Sequence, residues 1–346
     1  MSILRCIPLP GVREHYAIGP SIAKFIYDLI HLCYGIHLLS KHSDLKVIHA
    51  VEDSCLPGYL LASTFGLPLV FEKHSDPGSY KQSGKFFKNL ILSAYQQWEQ
   101  IVIRKAHSII GTGDELVQQV HEVAPEADAW IIPDIPSSLS IPDPATISTL
   151  RDSLAHQGQI LATYVGSFAV YQGIDLLFDA MSLALKGDPN LVLIIIGGKE
   201  HEIQERTQQM QKQGVSDRVK FLGFVHPDEL PAYLAASDLL LSPRISGRNS
   251  PLKVLDYLKA ERCIIATDNA ANRQILNEDV ALLSSPDSAS FAKSILQASG
   301  DETLRNRLAR NAKSLLQSRY HFDYFESQIA SLYNRINHAA GRSPIV

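Results

Sequence analysis

The stretch Ser242-Pro243-Arg244-Ile245-Ser246-Gly247-Arg248-Asn249-Ser250-Pro251-Leu252-Lys253-Val254-Leu255-Asp256-Tyr257-Leu258 decides how the second half of this chain is read. It follows Asp238 to Leu241, an apolar run of strand length, and passes into a pattern in which Leu255 and Leu258 share one helical side. A loop between a strand and a helix lies at the carboxyl edge of an open parallel sheet, where such sheets hold ligands. Ser250 reads as an N-cap and Pro251 as the first helical residue, so the helix start should turn its unpaired amides toward the loop, as phosphate-binding helix ends do. Arg244, Arg248 and Lys253 set cations around it, and Gly247 and Leu252 lie in the same turn. Lys253 suits a diphosphate, and Asp256, three residues on, suits two ribose hydroxyls. A capped surface helix carrying a Lys–Asp pair would show the same spacing.

Working outward, short apolar runs alternate with helical patterns: Gln159 to Val165, Leu191 to Ile196, Val219 to Leu222, Cys263 to Ala266 and Val280 to Leu283. Continuous hydrophobic strands of this kind belong to a parallel sheet covered on both faces, hence an α/β doubly wound domain. Two more loops leave strands on the same edge. Gly197-Gly198-Lys199 lets a ligand approach the backbone, with Lys199 in reach of a phosphate, and Gly223-Phe224-Val225-His226-Pro227 could lay an aromatic or its amides beside a base. A plain turn and a core aromatic are the structural readings of these two loops. Tyr164-Val165-Gly166-Ser167-Phe168 opens the domain's first loop and Gly173 closes it, without the close-set glycines and acidic residue of a nicotinamide site.

The first half follows the same logic less regularly. Strands are expected over Lys46 to His49, Pro68 to Glu72, Ser108 to Ile110 and Trp130 to Ile132, and helices over Pro20 to Ser40, Gly58 to Phe65, Gln82 to Lys105 and Asp114 to His121. The proline-rich segment Pro133 to Pro144 reads as a hinge, Ala145 to Gly158 as a helix into the second domain, and the residues after Arg319 as a last amphipathic helix packing back across the junction. The expected domains are therefore 1–144, 145–318 and the C-terminal helix 319–346.

With 346 residues, 45% hydrophobic and 20% charged, the chain can form two cores. A net charge of -4 supplies no global field for nucleic acid, so an anionic ligand must be held locally. Cys6, Cys33, Cys55 and Cys263 are far apart, without zinc or dithiol spacing, and are expected to be reduced, structural thiols of a cytoplasmic protein. The N-terminus lacks the order of a signal peptide. Phe25 to Leu39, interrupted by Asp28, His31 and His37, reads as a largely buried helix and not a membrane span. Lys81 to Arg104 mixes Lys81, Lys85, Lys88 and Arg104 with Phe86, Phe87, Leu90, Ile91 and Trp98; it reads as a helix packed on its own sheet, with peripheral contact to the inner face of a membrane as the alternative.

Gly166-Ser167-Phe168, Gln172-Gly173-Ile174-Asp175-Leu176-Leu177 and the run from Pro243 to Asp256 together resemble the GT-B fold glycosyltransferases, and within them glycosyltransferase family 4. The resemblance covers almost the whole chain and is clearest from Ile160 to about Ser318. It implies two Rossmann-like domains facing across a cleft, the first lacking its usual opening strand–helix–strand segment, because the chain begins near the region matched by Arg5-Cys6-Ile7-Pro8-Leu9-Pro10. It implies transfer of a sugar from a UDP- or GDP-sugar to a glycan, lipid-linked or small-molecule acceptor, with configuration retained and without metal or other cofactor. Many members carry Arg and Lys where this chain has Ser167 and Gln172; a branch with the same Gly-Ser-Phe wording places its cations at the positions of Arg244 and Lys253. Asp256 matches the second of the family's paired glutamates, the one on ribose. The first falls near Arg248, and no carboxylate lies between Pro243 and Lys253. Phe71-Glu72-Lys73-His74-Ser75-Asp76 resembles the strand end that carries an active-site histidine, with His49, Glu52 and Asp53 ending the preceding strand in a similar way. Ile132-Pro133-Asp134 resembles the family's hinge.

The catalytic candidates are thus His74, Arg244 and Lys253, and the donor-binding candidates Gly166, Ser167, Gly198, Lys199, Phe224, Val225, Gly247, Arg248, Pro251, Leu252 and Asp256. A catalytically silent nucleotide-binding or scaffold protein is the alternative function. A GT-B sugar-nucleotide epimerase ranks below it.

Overall fold

Ile160–Val165 (β5), Leu191–Ile196 (β6), Val219–Gly223 (β7), Leu239–Ser242 (β8), Cys263–Thr267 (β9) and Ala281–Ser284 (β10) form one parallel sheet in the order β10-β9-β8-β5-β6-β7. The computed structural model describes residues 22–76, 86–247 and 250–339, and side chains over 26–76, 89–247 and 250–338. Both faces of this sheet are covered, as its unbroken apolar strands require; every residue of β6 is buried. Helices Ile174–Gly187 (α6), Glu200–Gln213 (α7) and Ser288–Gly300 (α11) contribute to a core around Leu177, Phe178, Met181, Leu193, Leu241 and Phe291. Leu252–Lys259 (α9) and Glu302–Arg319 (α12) pack on Leu240, Ile264 and Ala266. Pro144–Leu154 (α5), Leu230–Ala236 (α8) and the short Ala270–Arg273 (α10) complete the element list. From β5 the chain steps outward to β6 and β7, then returns to place β8 on the other side of β5. The strand order therefore reverses between β5 and β8, and the loops that follow them diverge there into a crevice.

The first sheet is smaller: Ile48–Val51 (β1), Leu69–Lys73 (β2), Ser108–Gly111 (β3) and Ala129–Ile131 (β4) run parallel in the order β1-β2-β3-β4. Ile22–Lys41 (α1), Cys55–Phe65 (α2), Phe86–Ile103 (α3) and Asp114–Val123 (α4) accompany it, around a core of Leu69, Phe71, Val102, Ile109 and Val120. The last helix, Phe322–Ala339 (α13), ends against this sheet: Arg335 pairs with Asp128 at 3.0 Å and its guanidinium lies over the Trp130 ring.

The chain divides into two compact units, Met1–Ile132 with Ser331–Val346, and Pro133–Ala330. The sequence reading had drawn its limits at 144 and 318. The segment from Pro133 to Asp143 thus belongs to the second unit, where Ser137 and Ser138 bond α9.

Two expectations are corrected. Phe25 to Leu39 is helical but not largely buried: from residue 26 to 41 only Leu39 is buried, because the helix packs chiefly on α2 and offers its other sides to solvent. Ser250 is not the N-cap of α9. Its hydroxyl donates to Gln274 at 2.7 Å, and Pro251, extended at ψ 91°, stands at the cap instead. Cys55 and Cys263 are buried free thiols, pushed up to about 12 mainly by burial, whereas Cys33 is exposed. Cys6, the cationic residues Lys81 and Lys85, and Arg248 lie outside the described residues. No described helix is long and apolar enough to cross a membrane.

Candidate functional site

Three of the second sheet's loops converge because their glycines permit it. Gly166, just beyond β5, is at φ 147°, and a side chain there would come within 3.0 Å of the Lys253 Nζ. Gly197, beyond β6, is at φ 110° and presses so closely on Gly166 that an added Cβ would lie 2.3 Å from its carbonyl oxygen. Gly198 meets the Phe168 ring in the same way, which seats the second loop on the first. The third loop, after β8, is locked to the first by Ile245 N–H donating to the Tyr171 carbonyl at 3.1 Å.

Arg244 and Lys253 are brought together on this frame. Arg244 is buried, its Nε donates to the Ser246 carbonyl at 2.8 Å, and its guanidinium lies over the Tyr171 ring, 5.6 Å from the centroid. Its own carbonyl is held by the Thr267 hydroxyl and the Asn269 amide, so the loop is braced from β9 and α10. Gly247 sits against this guanidinium at φ 103°. Lys253, in the first turn of α9, is half-buried as a residue, but its Nζ is fully buried and has no hydrogen-bond partner among the described residues. Burial, and then repulsion from Arg244, lowers its pKa to about 7.

Other expected residues are placed less centrally. Phe224 is 83% exposed, so it is no core aromatic, whereas Val225 packs against the Ile194–Ile196 side of the core. Lys199 is exposed and its N–H donates to Glu202 at the start of α7, as a capping interaction. Ser167 is exposed and offers its carbonyl to the Tyr164 hydroxyl at 2.8 Å; Pro251 is buried and Leu252 is 52% exposed. Asp256 accepts from Ser137 N–H at 2.7 Å and from its hydroxyl at 2.9 and 3.0 Å. Burial raises its pKa against these bonds and Lys259. It borders a cavity of about 250 Å³ lined by Ser137, Ile141, Leu230, Leu234, Lys259 and Arg262.

In the first unit, His74 follows β2 and forms part of a cluster that sequence reasoning saw only in pieces. Glu72 bridges two imidazoles, His49 Nε2 at 2.8 Å and His74 Nε2 at 2.7 Å. Tyr333, on α13, bonds His49 Nδ1 at 2.7 Å. Glu52 accepts from the His74 backbone N–H and from the Ser75 hydroxyl. Burial alone would raise the Glu72 carboxyl, but the bonds from His49 and His74 outweigh it and hold it near a pKa of about 2. Beside them Lys73, fully buried, pairs with Glu99 at 2.7 Å. The roles of Glu72 and Tyr333 were missed. Glu72 and His74, two apart at a strand end, share a face by strand periodicity, which was a usable signal; nothing local pointed to Tyr333. No group of three or more described His, Cys, Asp or Glu residues is arranged to hold a metal ion.

The family model of the glycosyl transferases group 1 matches residues 147–315. Phosphatidyl-myo-inositol mannosyltransferase of Mycobacterium tuberculosis is 21% identical over 346 residues, covering 96% of this chain and 82% of the relative. Alpha-D-kanosaminyltransferase of Streptomyces kanamyceticus is 21% identical over 285 residues, covering 80% of this chain and 73% of the relative. The structure of Anabaena Alr3699/HepE in complex with UDP superposes with a TM-score of 0.75 at 19% identity, over 87% of this chain and 82% of that one. At that identity the likeness speaks for the fold.

Proposed function

The chain is a GT-B fold member of the glycosyl transferases group 1 family, and from that premise we propose that it transfers a sugar from a nucleotide-diphosphate donor held by Arg244, Lys253 and the glycine loops. One observation carries the proposal: the buried Lys253 Nζ, without a hydrogen-bond partner among the described residues, beside Gly166 at the point where the strand order reverses. A buried amine without an acceptor is costly unless an anion completes it. A diphosphate would supply that anion, and as the glycosidic bond breaks it gains the charge that the two cations and the start of α9 stabilise. With configuration retained, the acceptor hydroxyl attacks the face the diphosphate leaves and passes its proton to a departing phosphate oxygen. No protein nucleophile is needed.

Gly166, Ser167, Gly198 and Gly247 supply close backbone, and exposed Phe224 with Val225 the surface for the base. Asp256 binds ribose by exchanging its Ser137 bonds for hydroxyls, and His74 bonds the sugar. UDP is the first nucleotide to test, given the HepE complex. Calorimetry with UDP, GDP and the bare nucleosides should show diphosphate-dependent binding, which Lys253→Ala weakens far more than it weakens nucleoside binding. Binding by no diphosphate would end this reading. The missing carboxylate between Pro243 and Lys253 favours a second one, a protein that binds the donor without transferring it. Binding with neither donor hydrolysis nor transfer would support that reading.

A further inference from the structure

We propose that Glu72 is the positioning residue of the His74 site: its carboxylate clamps the Nε2–H of His74 and of His49 together, so that Nδ1 is the basic nitrogen of each ring. For His74 this deepens the transfer reading and rests on it; the clamp itself does not.

The assignment follows from what each group can donate. An ionised carboxylate only accepts, so both ring nitrogens that face Glu72, at 2.7 and 2.8 Å, must carry protons. A neutral His49 then has an accepting Nδ1, and the hydrogen bond there is donated by Tyr333 O–H at 2.7 Å. Tyr333, His49, Glu72 and His74 thus form one network from α13 to the end of β2, its donors converging from both sides on the Glu72 carboxylate. The carboxyl stays ionised far below neutral pH, because two imidazoles bond it.

The backbone of the site is fixed independently. Glu52 sits at φ 52°, in the left-handed region that strains a non-glycine residue, and its carboxylate receives the His74 N–H and the Ser75 O–H. His74 is therefore held through its main chain by Glu52 and through its ring by Glu72. Lys73, beside them, pairs with Glu99 and also donates to the Ser75 carbonyl at 2.8 Å. A ring whose Nε2–H is claimed by a carboxylate keeps one tautomer and one orientation, which is how carboxylates set catalytic and metal-bound histidines.

Nitrogen-15 and proton NMR of the histidine-labelled full chain at pH 8 tests the clamp directly, with His49→Gln and His74→Gln providing the assignments. The wild type should show both rings as Nε2–H tautomers, with downfield protons protected from exchange. In Glu72→Gln, whose amide can accept from one ring but donates to the other, one ring should change to Nδ1–H. An Nδ1–H His74 in the wild type, or unchanged spectra in Glu72→Gln, would overturn the proposal. If Glu72→Gln does not fold, the wild-type tautomers still decide, and Glu72→Asp, which withdraws the carboxylate by one methylene, should weaken the same protection. In transfer assays Glu72→Gln should lower kcat by about 10- to 100-fold, with UDP affinity unchanged. An unchanged kcat would overturn the positioning role. Absence of transfer by the wild type counts against the proposed function and leaves the NMR result standing.

Discussion

Lys253 Nζ lies over the face of the Tyr164 ring, 4.5 Å from its centroid. The ring's hydroxyl in turn donates to the Ser167 carbonyl, so one aromatic residue both steadies the lysine and shapes the loop beyond β5. Attraction to a ring face is worth about 2 kcal/mol or more when desolvated, against a desolvation penalty of several kcal/mol for a buried ammonium. The site is left poised for an anion.

Nucleoside-diphosphate binding should therefore take up a proton above neutral pH. Free Lys253 titrates at about 7, below its ordinary 10.5, and a bound diphosphate raises it again. Between those values the complex holds more proton than the free protein, so affinity falls as pH rises through the window. Below about 7 the lysine is already charged and this linkage vanishes. Calorimetry of UDP binding at pH 8.5 in two buffers of different ionisation enthalpy should give unequal heats, and Lys253→Met should equalise them. Equal heats in the unsubstituted protein would contradict the assignment.

Two glycines of the same φ separate crowding from backbone strain. Gly173 and Gly214 are both at φ 71°, but an added Cβ meets the Pro243 carbonyl oxygen at 1.8 Å in the first and nothing within 4 Å in the second. Gly214→Ala should cost about 1 to 2 kcal/mol, the left-handed penalty alone. Gly173→Ala should cost about 2 to 5 kcal/mol and displace the Arg244 loop. Urea midpoints check the order; equal losses would refute it.

The Glu72 clamp should also appear in acid stability. Its pKa is lowered from 4.5 to about 2, so the contribution, about 3 kcal/mol by linkage, is complete above 4.5 and is lost as pH falls toward 2. The stability gap between the unsubstituted protein and Glu72→Gln should close across that interval. A gap independent of pH would show that packing, not charge, accounts for it.

Ser137 and Asp256 should prove energetically coupled. Ser137→Ala deletes the hydroxyl bonds and leaves the N–H at 2.7 Å, so stability should drop by about 1 kcal/mol and the Asp256 carboxyl should titrate higher still. A double-mutant cycle with Asp256→Asn measures the coupling. Strict additivity would mean that the segment is not held by this bond.

What the sequence determined by itself was whatever depends on neighbours along the chain. The unbroken Leu191–Ile196 run could only be a strand buried on both faces, and the observed strand has those same ends. The strand–loop–helix order around Arg244 and Lys253 placed both at the ligand edge, because a parallel sheet sends all its strand ends to one side. Tertiary structure decided who meets whom. Gly166 and Lys253 are 87 residues apart, and His49 and Tyr333 are 284 apart; neither contact leaves a periodic trace. The cap of α9 is Pro251, and the Ser250 hydroxyl donates to Gln274 instead. Asp256, assigned to ribose by resemblance, meets Ser137 for the same reason: a polar side chain settles on the partner that folding brings within hydrogen-bond reach, and that partner is set by chain topology and not by local spacing.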